Sequence, residues 1–165
     1  MKHIKGNIFE SNADVILHQV NCQGVMGSGV AKQVRERYPI VYDYYKSWCD
    51  NDEYNPKHFP TSPLLGMIQI VYIDDNVVGD TNNSNRVIVN MFSQDKFGYD
   101  GKCYTNYDAL KRCLENVNIQ FKGYTVAIPY GLGCVRGGGD WNVVSKMIET
   151  SLKDCDVTLY EYDGG

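Results

Sequence analysis

The chain has 165 residues, 43% of them hydrophobic and 22% charged, the balance of a globular domain rather than of a disordered chain. A single domain of this length buries roughly two thirds of the surface its unfolded chain exposes, so its core requires neither disulfide nor metal. The net charge of −4, from 16 basic and 20 acidic residues, is opposite to the basic surplus of proteins that grip long nucleic acid by its backbone. No apolar stretch approaches the roughly 20 residues that span a bilayer.

The N-terminus, Met1 to Gly6, lacks the apolar core of a signal peptide. The six cysteines fall at 22, 49, 103, 113, 134 and 155, and no two have the spacing of a metal knuckle or redox pair. Free thiols in a reducing cytosol are therefore expected, with a cytoplasmic location and a chance origin for the glycosylation sequon at Asn82-Asn83-Ser84. No metal-ligand cluster is visible, so neither metal nor cofactor is expected. A monomer is the default expectation, because no long amphipathic seam is left unassigned.

Residues 14–20 read as a buried strand, apolar apart from His18 and Gln19. A glycine-rich loop over 24–29 follows. Val30, Val34 and Tyr38 then recur at i, i+4 and i+8, which predicts a helix with Ser28 as its N-cap. Pro39 separates it from a second helix carrying Val41, Tyr44, Tyr45 and Trp48 on one side. Residues 50–63 hold three prolines and read as a loop. Residues 66–74 alternate as a strand, 75–85 form a polar turn, and 86–92 form another strand. After a loop over 93–103, Thr105 is placed to cap a helix with Tyr107, Leu110, Leu114 and Val117 as its buried stripe. Residues 124–128 form a strand that ends at Pro129 and opens into a second glycine-rich loop, 131–139. Asp140 caps the last helix, whose buried face is Trp141, Val144, Ile148 and Leu152, and 156–162 is the last strand. Strands alternating with helices predict an α/β fold with a largely parallel sheet, in one domain over 1–165.

Two strands thus run into glycine-rich loops, and each loop leads to a helix N-terminus. In open α/β sheets ligands sit beyond the carboxyl ends of the strands. Helix N-termini offer unpaired N–H groups and partial positive charge, which suits phosphate. Two such loops side by side suit a diphosphate, held by backbone dipoles in an acidic protein. Neither loop is a P-loop, and Gly131-Leu132-Gly133 does not continue into the dinucleotide fingerprint.

These residues also resemble a known family. The run from Ala13 through His18 to Asn21-Cys22, followed by Met26-Gly27-Ser28-Gly29-Val30-Ala31, resembles the first ligand loop of macrodomains. Lys5-Gly6-Asn7-Ile8-Phe9 resembles their opening segment. Ile128 to Cys134 resembles their diphosphate loop, and Leu159-Tyr160-Glu161-Tyr162 their final strand. The subgroup most resembled holds the yeast-type ADP-ribose-1''-phosphate phosphatase and the terminal ADP-ribose protein glycohydrolase.

The resemblance implies a three-layer α/β/α macrodomain sandwich with a mixed, largely parallel sheet, and ADP-ribose or ADP-ribose-1''-phosphate as ligand. It places Asn7 and Ile8 at adenine. It sets Gly27, Ser28, Gly29 and Val30 along the distal ribose and diphosphate. Gly131, Leu132, Gly133, Cys134, Val135 and Arg136 close from the other side, with Arg136 either pairing a phosphate or facing solvent. One of Tyr160 and Tyr162 is implied to stack on adenine. His18 is implied as catalytic base or nucleophile, assisted by Asn21, while Cys22 reads as structural. The glycohydrolase branch implies a lysine after the central strand, where this chain has Gln94. Lys96 and Asp140 are the nearest substitutes, and Asp140 reads first as a helix cap. The leading expectation is hydrolysis of the terminal phosphate of ADP-ribose-1''-phosphate. The alternatives are a non-catalytic ADP-ribose-binding module and a hydrolase that removes ADP-ribose from protein or nucleic acid.

Overall fold

The computed structural model describes residues 1–54, 59–73 and 86–162. Six strands form one sheet: β1 (Lys2–Lys5), β2 (Val15–Asn21), β3 (Ile68–Ile73), β4 (Arg86–Gln94), β5 (Thr125–Pro129) and β6 (Asp156–Glu161). Their order is β1-β6-β5-β2-β4-β3. Every neighbouring pair is parallel except β3 with β4. Four helices are described: α1 (Gly29–Arg37), α2 (Pro39–Cys49), α3 (Tyr107–Gln120) and α4 (Trp141–Ser151). None is long and apolar enough to cross a membrane.

The sheet is buried on both faces, which is why β2 and β4 read as nearly continuous apolar runs. On one face Val15, Leu17, Val89 and Met91 pack beneath Leu110, Leu114, Val144 and Ile148 of α3 and α4. On the other, Ile16, Ile88 and Ala127 meet Val34, Tyr38 and Val41 of α1 and α2. Val20, Phe92 and Tyr45 extend that second core toward the carboxyl ends of the strands. The result is the expected α/β/α sandwich.

Several local details differ from the sequence-based expectation. β1 is an additional edge strand; all four of its residues are exposed, so it carries no apolar alternation to reveal it. Asn106, not Thr105, caps α3 and accepts from the Ala109 N–H. The Thr105 hydroxyl instead donates to the Gly133 carbonyl at 2.6 Å. In α2 the buried stripe is Val41, Tyr45 and Cys49, and Tyr44 faces outward. The predicted turn over 75–85 and the sequon lie outside the described residues, as does the middle of the predicted loop over 50–63.

β2 and β5 lie side by side in parallel, with Val15 opposite Val126 and Ile16 opposite Ala127. Their carboxyl ends therefore open at one edge, and both glycine-rich loops emerge there.

Candidate functional site

A cavity of about 460 Å³ lies at that edge, within the size range of small-molecule sites. It is walled by the loop after β2, the first turn of α1, the segment after β4, the loop after β5, and Tyr162. Of the residues implicated by sequence, it gathers His18, Asn21, Gly27, Ser28, Gly29, Val30, Gly131, Leu132, Gly133, Val135, Arg136 and Tyr162. Asn7, Ile8, Cys134 and Tyr160 are not part of its lining. The Asn7 side chain is engaged as the cap of a 3-10 turn over Ile8–Glu10, accepting from the Phe9 N–H at 2.9 Å. Ile8 is buried in the core, against which Tyr160 packs. The Cys134 thiol donates to the Leu132 carbonyl at 3.3 Å. The two tyrosines thus divide their duties, and Tyr162 is the one at the cavity.

The electrostatics favour an anion. Among the described residues no Asp or Glu lines the cavity, and Arg136 is its one Lys or Arg. Its guanidinium lies 5.4 Å over the Tyr99 ring. The helix N-termini differ, and α2, which starts at Pro39 outside the cavity, has no side-chain cap bond from Tyr38. Asn106 and Asp140 cap α3 and α4 with their side chains. Ser28 occupies the N-cap position of α1 but makes no side-chain cap bond. The first-turn N–H groups of α1 thus lack a side-chain partner at the one N-terminus that enters the cavity.

The glycines serve two purposes. Gly29 and Gly131 adopt positive φ, and a Cβ on Gly29 would meet nothing within 4 Å. Those glycines set the backbone path at the cavity wall. Gly137–Gly139 are packed instead: a Cβ on Gly137 would lie 2.6 Å from the Gly133 carbonyl and one on Gly139 2.9 Å from it. Beneath this loop Gln19 donates to Thr105 at 3.0 Å and accepts from Ser93 at 2.7 Å.

His18 is 1% exposed. Its Nε2 bonds the Asn90 side-chain oxygen, and its Nδ1 has no partner among the described residues. Burial lowers its pKa from 6.5 to about 4, partly opposed by the bond to Asn90, so the ring is neutral at pH 7. Asn21 is fully employed in shaping the first loop. Its amide N–H donates to the Val25 carbonyl at 2.8 Å, and its oxygen accepts from the Gln23 N–H at 3.0 Å and the Tyr45 hydroxyl at 2.8 Å. Cys22 is buried, and desolvation pushes its thiol up to about 12, which removes the thiolate a nucleophile needs. Lys96 is exposed and outside the cavity lining, whereas Gln94 is part of it. A register shift after Val20 places Gln94 opposite Asn21. Among the described residues no group of three or more His, Cys, Asp or Glu is arranged to hold a metal ion.

Sequence reasoning missed the aromatic rim. Phe97, Tyr99 and Tyr130 all line the cavity. Tyr130 stands between His3, with ring centroids 4.6 Å apart, and Trp141, at 4.7 Å. The available signal was the pair of aromatics in an otherwise polar loop after β4.

No protein-family model matches the chain. It is 28% identical over 181 residues to a DNA ADP-ribosyl glycohydrolase of Mycobacterium tuberculosis, a match covering 97% of this chain and 42% of that protein. It is 30% identical over 102 residues to an ADP-ribose 1''-phosphate phosphatase of Meyerozyma guilliermondii, covering 59% of this chain and 55% of that protein. The solved macrodomain of Mycobacterium tuberculosis DarG superposes with a TM-score of 0.71 at 23% identity, over 96% of this chain and 95% of that one. Thermosipho africanus DarTG, solved in complex with ADP-ribose, gives 0.75 at 20% identity, over 99% of this chain and 42% of that one. The chain has the macrodomain fold.

The buried His18 has a consequence for stability. Its folded pKa of about 4 lies below the ordinary 6.5, so unfolding takes up a proton between those pH values. Its contribution is full above pH 6.5 and is lost as pH falls through that window, by up to about 3 kcal/mol. Urea unfolding at pH 7 and pH 4.5 should show a larger loss for wild type than for His18→Gln. Equal losses would contradict this assignment.

Proposed function

We propose that this macrodomain fold binds ADP-ribose in the cavity described above and hydrolyses the terminal phosphate of ADP-ribose-1''-phosphate. The observation that carries the binding reading is the cavity between two glycine-rich loops, lined by no Asp or Glu among the described residues, with the N-terminus of α1, free of a side-chain cap, on its wall. A diphosphate placed there meets backbone N–H groups from one side and the 131–136 loop, with Arg136, from the other. The adenosine end lies toward Tyr162, and the distal ribose toward His18. The named activities of the relatives support both the ligand and the hydrolytic reading.

In this reading the terminal phosphate is transferred to water. Water attacks phosphorus and gives one proton to His18, the bond from phosphorus to the 1'' oxygen breaks, that oxygen takes up the proton, and the ribose hydroxyl and inorganic phosphate leave. His18 receives a hydrogen bond from the attacking water. A base with pKa near 4 is weak at neutral pH. A phosphate dianion bound beside it raises its proton affinity and opposes the effect of burial. Asn21 contributes by holding the first loop in shape.

A second reading, removal of ADP-ribose from DNA, is favoured by the match along 97% of this chain to a protein of that name. The chain spans only 42% of that protein's length, and Gln94 occupies the position where the resemblance implies a catalytic lysine.

Phosphate release from ADP-ribose-1''-phosphate, assayed beside release of ADP-ribose from ADP-ribosylated DNA, separates the readings. Phosphate release that is lost in a folded His18→Ala variant, with ADP-ribose affinity changed less than about 3-fold (within the ~1.4 kcal/mol of a tenfold change), is the expected result. Release of ADP-ribose alone would replace the phosphatase reading with the glycohydrolase one. Tyr162→Ala should weaken ADP-ribose binding by about 1–3 kcal/mol, the usual worth of base–aromatic stacking. Unchanged calorimetric affinity would remove Tyr162 from the adenine side.

A further inference from the structure

His18, Asn90 and Gln69 stand in register across three neighbouring strands. His18 pairs with Asn90 between β2 and β4, and Asn90 with Gln69 between β4 and β3. All three are buried, on the sheet face that packs against α1 and α2. Polar groups in such a place need partners, and here each supplies the next. Gln69 Nε2 donates to the Tyr44 carbonyl of α2 at 3.0 Å. Asn90 Nδ2 donates to Gln69 Oε1 at 3.0 Å. Asn90 Oδ1 meets His18 Nε2.

The direction of this row follows from its anchor. A backbone carbonyl only accepts, so Gln69 presents its NH₂ to Tyr44 and its oxygen to Asn90. Asn90 must then give its NH₂ to Gln69 and its oxygen to His18. That oxygen also only accepts, so the facing ring nitrogen carries the proton. Nδ1 is left as a bare lone pair, enclosed by the protein and unpartnered among the described residues, on a residue that lines the cavity.

We infer that Asn90 and Gln69 are positioning residues that fix His18 as its Nε2–H tautomer, so that Nδ1 is the ring's hydrogen-bond acceptor for a group that reaches it from the cavity. The group it receives is then a donor: a water or a ribose hydroxyl. An ionised phosphate oxygen has only lone pairs to offer, so it lies beside the neutral ring and not on Nδ1. The kind of hydroxyl rests on the ADP-ribose reading above, whereas the tautomer does not.

Long-range ¹H–¹⁵N correlation spectra of histidine-labelled protein at pH 7 read the tautomer without any ligand, and the chain has only three histidines to assign. The expected result is an Nε2–H pattern for His18 in wild type. Asn90→Asp should keep it, because a carboxylate also only accepts, while Asn90→Leu and Gln69→Leu should lose it to a mixture or to Nδ1–H. An Nδ1–H pattern in wild type or in Asn90→Asp would overturn the inference even if the leucine variants do not fold. So would an unchanged pattern in both leucine variants. Saturating ADP-ribose should move the Nδ1 resonance in the direction of hydrogen-bond acceptance; saturation with no movement would overturn the acceptor role. An Nε2–H tautomer in a protein that fails to bind ADP-ribose would support the row and overturn the ADP-ribose reading alone.

Discussion

The parallel pairing of β2 with β5 is the constraint on which the site depends. Parallel neighbours end at the same edge, so two segments more than a hundred residues apart deliver their loops to one place. An antiparallel pairing would send them to opposite ends of the sheet. The pairing itself is held by burial, since Val15, Ile16, Val126 and Ala127 are all at or below 1% exposure. Apolar packing far from the cavity thereby sets the spacing of the two cavity walls.

Given that frame, polar chemistry is distributed by face and by end. α3 and α4 take side-chain caps from Asn106 and Asp140, whereas α2, which starts at Pro39, takes none. The helix that ends in the cavity has no such side-chain bond. Among the described residues no carboxylate lines the cavity, although the protein is acidic overall. A buried imidazole is held neutral by desolvation and oriented by a neighbouring amide. The α1 terminus without a side-chain cap and the buried imidazole each carry a cost in stability that a purely structural core would avoid, and both belong to residues that line the cavity.

Much of this was legible in the sequence because its signals are local. Buried parallel strands appear as apolar runs, as in residues 14–20. Glycines before a helix mark a turn, and Asp140 is a readable cap. The unread parts depend on partners distant in sequence. β1 has no pattern of its own and exists by pairing with β6. Thr105 looks like a cap but is drawn to the Gly133 carbonyl, which leaves Asn106 to cap the helix. Asn7 reads as an adenine contact by resemblance, yet its oxygen serves the local 3-10 turn. Gly138 and Gly139 belong to a glycine-rich loop but are small because their neighbours are close, and Gly137, equally tight, also lines the cavity. Asn90 and Gln69 each look like an ordinary polar residue in a strand, and only the strand register joins them to His18.

The central claim is that this cavity is an ADP-ribose site built mainly from backbone. Calorimetric titration of the purified protein with ADP-ribose tests it most directly. The account predicts saturable binding with one ligand per chain, lost when Gly29 on the cavity wall is replaced by valine in a protein that remains folded. Absence of binding by the wild-type protein, or undiminished binding by the folded Gly29→Val variant, would contradict it.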